Sequence, residues 1–258
     1  MIPLRDNVPT DRVAWATYAL ILVNIVVYLF FEKAAAHGIL HVDQETVIRY
    51  GAIPLELAHP SRQCLQALDA AGNLVCGAHL PGARDTAAFW LTPFTAMFMH
   101  GGILHIAGNM LFLWVFGNNI EEAMGRVRFV AFYLLGGVAA IALQTAVDPG
   151  SAVPTIGASG AIAAVLGGYI VLYPRARVLT MVFLLFIFFV ELPAVLVLGL
   201  WFLEQVAFGA GSLTNPVGDG GGVAYFAHVG GFAFGLLVVR ALARRRNPNY
   251  LGSRPALA

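Results

Sequence analysis

The chain has 258 residues, 59% of them hydrophobic and only 11% charged, with a formal net charge of +1. A soluble domain carries about 25% charged residues, so this composition excludes one and indicates an integral membrane protein. No basic tract interleaved with aromatics suggests a nucleic-acid partner, and the long apolar runs favour spanning helices over the short alternating segments of a barrel. The expectation is an all-α membrane protein with a single membrane-embedded domain over residues 1–258.

Residues 1–12 are polar, and Val13 to Phe31 then runs 19 residues with only Thr17 and Asn24 strongly polar. That suffices for a first span, since about 20 apolar residues cross a bilayer. It exceeds the apolar core of a signal peptide, and Glu32-Lys33 separates it from the Ala34-Ala35-Ala36 that would mimic a cleavage site. Residues 34–90 form the only long polar connection, and they contain both cysteines. Asp69 to Asn73 reads as a turn between Cys64 and Cys76, so the two can meet. In an oxidising compartment they would form a disulfide, and otherwise remain free thiols.

Further spans are expected at about 94–120, 129–147 and 157–173, with a last one at about 222–242. Val178 to Phe208 is harder, because its 31 residues are interrupted by Glu191-Leu192-Pro193. As one straight helix it would be about 45 Å long, against a hydrocarbon core of about 30 Å. Charge selects a single span there, at about 191–208, with 178–190 either on the membrane surface or part of that span. Six spans with an inside N terminus put 11 of the 15 lysines and arginines on one side, namely Arg5, Arg12, Arg126, Arg128, Arg175, Arg177, Arg240, Arg244, Arg245, Arg246 and Arg254. A seventh span would move the Arg244–Arg246 cluster outside, against the positive-inside rule. Both termini are therefore expected in the cytoplasm, with 34–90 as an external loop.

In this topology the second, fourth and sixth spans all start from outside, and His105, Ser159 and His228 each lie near the start of one of them. They fall at similar depth. A serine hydroxyl is a weak nucleophile until a base takes its proton, and His228 in YFAHVGGFAFG can be that base. Gly157 and Gly160 are read as helix-packing residues, and Gly160, Ala164 and Gly168 bare one face of the fourth span. Gly231 and Gly235 do the same on the sixth, so the two helices can approach closely. His105 and Asn109 are four residues apart and share a helix face, offset by about 40°. Both can donate hydrogen bonds, as an oxyanion requires. His100 points elsewhere and is read as a loop-end residue or as one that supports the site from behind. Without HExxH or a carboxylate at ligand spacing, no metal site is expected, and no cofactor is implied.

These residues resemble the rhomboid family of intramembrane serine proteases. The likeness covers about residues 90–240 and rests on three motifs in order: HGGILHIAGN, GASG and AHVGGFAFG. It implies a six-helix bundle with Ser159 as nucleophile, His228 as general base, and His105 and Asn109 as oxyanion donors. The substrates would be single-span membrane proteins cut near the outer face of a cell's inner membrane, in contact with lipid. The first loop resembles the family's external loop and span five its lateral gate. Two features depart from the family. Phe89-Trp90-Leu91-Thr92 lacks the arginine that some members carry there. Ala163 stands one turn after the serine, where some members hold an aromatic against the histidine. A non-catalytic scaffold that binds client helices is the alternative, but it has no need of all four polar residues. A transporter is disfavoured because no inverted repeat or charged broken-helix pair occurs.

Overall fold

A computed structural model describes residues 1–32, 43–68, 74–78, 89–183, 186–214 and 223–244. The rest of the 34–90 loop, with its expected turn at Asp69–Asn73, lies outside the described residues. So do residues 215–222 ahead of the last expected span, and Arg245, Arg246 and Arg254.

The chain opens with strand β1 (Ile2–Asp6), followed by α1 (Trp15–Val26), which continues through a wider turn at Val27–Phe31. Two short helices, α2 (Gln44–Tyr50) and α3 (Pro54–Ala58), precede a hairpin of β2 (Arg62–Leu68) and β3 (Leu74–Ala78). Cys64 and Cys76 face each other across that hairpin and are joined by a disulfide. After short turns at Phe89–Leu91, α4 (Thr92–Thr95) and Ala96–Phe98 comes α5 (Ile103–Met124), and then α6 (Arg126–Val147). The last elements are α7 (Ser159–Leu172), β4 (Arg177–Phe183), β5 (Ile187–Pro193), α8 (Ala194–Thr214) and α9 (Tyr225–Leu242).

Among the described residues, α5, α6, α8 from Ala194 to Ser212, and α9 are long and apolar enough to cross a membrane. Trp15–Phe31 and Ser159–Leu172 are shorter apolar helices. The helices pack around Leu113, Phe116, Phe129, Phe132, Tyr133 and Tyr169, all fully buried. Other large apolar side chains, among them Leu104, Val127, Leu135, Leu203 and Leu237, are exposed on the outside of the bundle. That inversion of the soluble pattern is what a lipid solvent permits.

The all-α expectation needs correction, because strands accompany the helices. β1, β4 and β5 form an antiparallel sheet in that order, with Ile2 opposite Met181 and Asp6 opposite Val178. The described residues of 178–190 are therefore not part of the span-five helix, and strand pairing leaves their place at the membrane surface open. They pair as a hairpin in which Leu179 faces Glu191 and Arg177 faces Pro193. The helix expected from 191 begins instead at Ala194, directly after Pro193, which cannot donate to a ladder or sit inside a helix. Its first free N–H groups find partners in the preceding loop: Ala194 N–H donates to Ala176 O (2.7 Å) and Val195 N–H to Pro174 O (3.1 Å). These bonds satisfy donors that every helix start leaves open.

The second expected span is shifted as well. Residues 94–102 form short turns and a loop, since Met99 is extended and the glycines at 101 and 102 disfavour helix. α5 then runs past residue 120 to Met124 and stops at Gly125, whose φ of +83° suits glycine.

Two ends of the bundle result. At one, the N-terminal turns of α5, α7 and α9 come together. At the other lies the β1–β4–β5 sheet, where Glu121 ties α5 to the start of α1. Its carboxylate accepts from Ala16 N–H (3.0 Å), Thr17 N–H (2.7 Å) and Thr17 Oγ1 (2.8 Å). Asp6 is seated at the same end, accepting from Asn119 Nδ2 (2.6 Å) and from the Tyr169 hydroxyl.

Candidate active site

Ser159 is the first residue of α7, and the chain reaches it through Gly157 at φ +120°. Only glycine adopts that conformation without strain, and a side chain here would also meet His105: a Cβ would lie 2.7 Å from His105 Nε2 and 3.6 Å from Ser159 Oγ. Gly157 thus works in the turn against His105. In the sequence it reads as a helix-packing residue; it lies just ahead of α7, and what it leaves room for is His105 of α5. Its N–H donates to Ala96 O at 2.9 Å, which pins the turn to the loop ahead of α5.

The close approach of α7 and α9 is a backbone matter. A Cβ on Gly231 would sit 2.0 Å from Gly160 O, and one on Gly235 would sit 2.0 Å from Ala164 O. No side chain fits in either place. Gly160 meets α9 through its carbonyl, whereas its own missing side chain faces Ala140 of α6 at 2.6 Å. Gln144 of α6 supports the first turn of α9, its Oε1 accepting from Ala227 N–H at 3.2 Å. Packed so, α9 delivers the imidazole to the serine: His228 Nε2 lies 2.8 Å from Ser159 Oγ. His228 is buried and Ser159 half-buried.

His105 stands across the Gly157 turn. Its Nδ1 accepts from Gly101 N–H at 3.3 Å, which leaves Nε2 to carry the proton of a neutral ring and to donate toward the serine side. One helical turn further along α5, Asn109 is buried, and its Nδ2 has no hydrogen-bond partner among the described residues. Buried donors are almost always paired, so an idle one has a hydrogen bond to give, and both ring nitrogens of His100 are idle in the same way. His100 is fully buried in the loop ahead of α5. Its ring packs edge-on against His105 at 5.1 Å, and its N–H donates to both carboxylate oxygens of Glu32 (3.0 and 3.1 Å).

Sequence reasoning missed two neighbours of His228, both on α8. Gln205 Oε1 lies 2.7 Å from His228 Nδ1. The Trp201 ring lies over the imidazole, with centroids 5.6 Å apart and planes inclined by 38°. These contacts supply what the small Ala163 does not. The available signal was an amide in the middle of the apolar run GLWFLEQVAFG, since polar groups within spans are costly and seldom idle. No cluster of three or more His, Cys, Asp or Glu able to hold a metal occurs among the described residues.

Comparison with known proteins bears on the same region. The Rhomboid domain profile matches residues 88–245. The chain is 31% identical over 160 residues to "Rhomboid protein 1, mitochondrial" of Saccharomyces cerevisiae, covering 60% of this chain and 42% of that one. It is 29% identical over 166 residues to "Presenilin-associated rhomboid-like protein A, mitochondrial" of Danio rerio, covering 58% and 38%. To the human "Presenilin-associated rhomboid-like protein, mitochondrial" it is 37% identical over 89 residues, covering 34% and 23%. The match spans less than half the length of each of these relatives. With a domain profile that covers well over half of the chain and takes in Ser159, His228, His105 and Asn109, this multi-pass membrane protein belongs to the rhomboid family.

Proposed function

We propose that the protein is an intramembrane serine endopeptidase that cuts single-span membrane proteins with a Ser159–His228 dyad. The observation that carries the reading is the 2.8 Å contact between Ser159 Oγ and His228 Nε2. In the reaction, His228 Nε2 takes the hydroxyl proton as Ser159 Oγ bonds to the substrate carbonyl carbon. The carbonyl π electrons move to oxygen, and the oxyanion is held by His105 Nε2–H, Asn109 Nδ2 and the N-terminal turn of α7. His228 then returns the proton to the leaving amine, and water repeats the sequence on the acyl-enzyme.

The setting is a six-span single domain, 1–258, with both termini cytoplasmic and the dyad toward the outer face. Support comes from Arg5, Arg12, Arg126, Arg128, Arg175, Arg177, Arg240 and Arg244. All belong to β1, the chain before α1, β4 and the turn that leads into it, or the helix ends that gather at the sheet, opposite the dyad. α7, at 14 residues, is about 21 Å long, shorter than a hydrocarbon core of about 30 Å, so its first residue lies below the membrane surface. A carbonyl inside an intact helix is already hydrogen-bonded, so substrates with helix-breaking residues near the cut should be preferred. The membrane we assign is a cell's inner membrane, a point that fractionation decides, since the named relatives are mitochondrial.

The test is labelling of purified protein with a fluorophosphonate serine probe. Wild type should label, Ser159→Ala should not, and His228→Ala should slow by about 10²–10⁴, the usual weight of a general base. Equal labelling of Ser159→Ala refutes the assignment. A folded wild type that neither labels nor cleaves favours the scaffold alternative.

A further inference from the structure

We propose that Gln205 is a positioning residue for the general base: it fixes the tautomer of His228, and so makes the base depend on how α8 is seated against α9. This rests on the Ser159–His228 reading above. A neutral imidazole carries one proton. For Nε2 to accept from Ser159, that proton must be on Nδ1, and the only hydrogen-bonding group at Nδ1 among the described contacts is Gln205 Oε1 at 2.7 Å.

The amide could in principle face either way, and its other end decides the matter. Gln205 Nε2 lies 3.3 Å from the carbonyl oxygen of Trp201, a pure acceptor. A reversed amide would set two acceptors against each other there, and would turn an NH2 toward Nδ1. That NH2 would draw the ring proton to Nε2, where it blocks acceptance from the serine. The backbone of α8 thus orients the amide, the amide holds the proton on Nδ1, and Nε2 is left free for Ser159. Trp201 covers the ring face from the same helix, and is itself packed against Phe232 at 6.2 Å.

Both contacts that hold the imidazole therefore come from one helix. Gln205 is buried, whereas Val195, Leu196, Leu200, Leu203, Val206 and Phe208 of α8 are exposed. α8 is attached to the bundle along one face, and that face carries the amide. A displacement of α8 away from α9 removes the acceptor and the ring cover together, and leaves nothing to hold the ring proton on Nδ1.

The experiment uses the full-length protein in detergent with ¹⁵N-labelled histidine. The His228 resonances are identified by their loss in His228→Ala, and fluorophosphonate labelling rates are measured alongside. Wild type should show a protonated Nδ1 and a bare Nε2. Gln205→Met, which keeps the volume but not the acceptor, should shift the proton toward Nε2. It should also slow labelling by about 10–100-fold, somewhat less than loss of the base itself, with an unchanged melting temperature. Gln205→Glu, which keeps an oxygen at the same reach, should recover most of the rate. A wild-type ring protonated at Nε2 overturns the proposal whether or not the variants fold. So does a Gln205→Met protein with wild-type rate and tautomer, or a Gln205→Glu protein as slow as Gln205→Met. A labelled wild type beside an unaffected Gln205→Met strikes this inference alone, whereas an unlabelled wild type strikes the dyad reading and this one with it.

Discussion

Asn109 separates chemistry from stability more cleanly than any other residue of the site. Its Nδ2 is buried and idle, so truncation removes a donor without breaking a hydrogen bond of the folded protein. Asn109→Ala should therefore slow cleavage by about 10²–10³, the cost of one oxyanion donor, while the melting temperature stays within a degree or two of wild type or rises. Parallel kinetics and thermal unfolding check this, and a large loss of stability would mark Asn109 as structural glue instead. Asp6 makes the opposite case, at the sheet end. Burial pushes its carboxyl up to about 7 from 3.8, against the lowering effect of the Tyr169 hydroxyl. Between those two values the folded protein holds a proton that the unfolded chain has released, so stability falls as pH rises across that window. Asp6→Asn should remove most of this slope, measurable as melting temperature against pH from 4 to 8. The meeting of Ser159 with His228 was legible because polar residues stand out in apolar helices and both fall at helix starts, whereas the spacing of His105 and Asn109 gives them a shared helix face. Gln205 was not, because a single amide has no spacing to read and its partner is 23 residues away.

At the scale of elements, α7 and α9 touch through backbone, and the Ser159–His228 contact depends on it. Gly231→Ala places a methyl where Gly160 O now lies, at 2.0 Å, so the helices must part. Overpacking of this kind costs about 1–3 kcal/mol, and separation lengthens the Ser159–His228 contact. Both the melting temperature and the probe-labelling rate should fall together, unlike the Asn109→Ala result. Glu121→Ala tests the other end. It strips an acceptor from the N–H groups of Ala16 and Thr17 and from the Thr17 hydroxyl, each buried or half-buried. An unsatisfied donor costs about 1–3 kcal/mol, so the variant should melt well below wild type, with any surviving folded protein still labelled by the probe. Helix existence and the glycine faces were readable from local pattern. The β4–β5 hairpin was not, since an apolar run such as MVFLLFIFFVELP does not distinguish strand from helix by periodicity. Its partner β1 lies some 175 residues earlier, where no local window reaches; Ile2 pairs with Met181. The start of α5 was misjudged for a related reason: HGG continues the apolar run in composition but interrupts the helix in conformation.

The whole molecule is a bundle with a catalytic-type constellation at one end and a sheet with most of the described arginines at the other. Its exposed apolar flanks suit lipid, and its central helix α7 is short, at 14 residues. Its character as a multi-pass membrane protein was readable from the long apolar runs of the sequence, since their length follows from the bilayer as solvent. The tautomer-setting contact and the sheet that caps the far end come from tertiary pairing, which composition does not encode. The claim that unites these parts is that Ser159, activated by His228, cuts a membrane-embedded peptide bond. The most direct measurement is cleavage of a single-span reporter protein by the purified protein in proteoliposomes, with the cut mapped by mass spectrometry. Wild type should release a fragment cut at one site near the end of the reporter helix that lies level with the dyad, and Ser159→Ala and His228→Ala should release none. Cleavage that persists in folded Ser159→Ala would contradict the account.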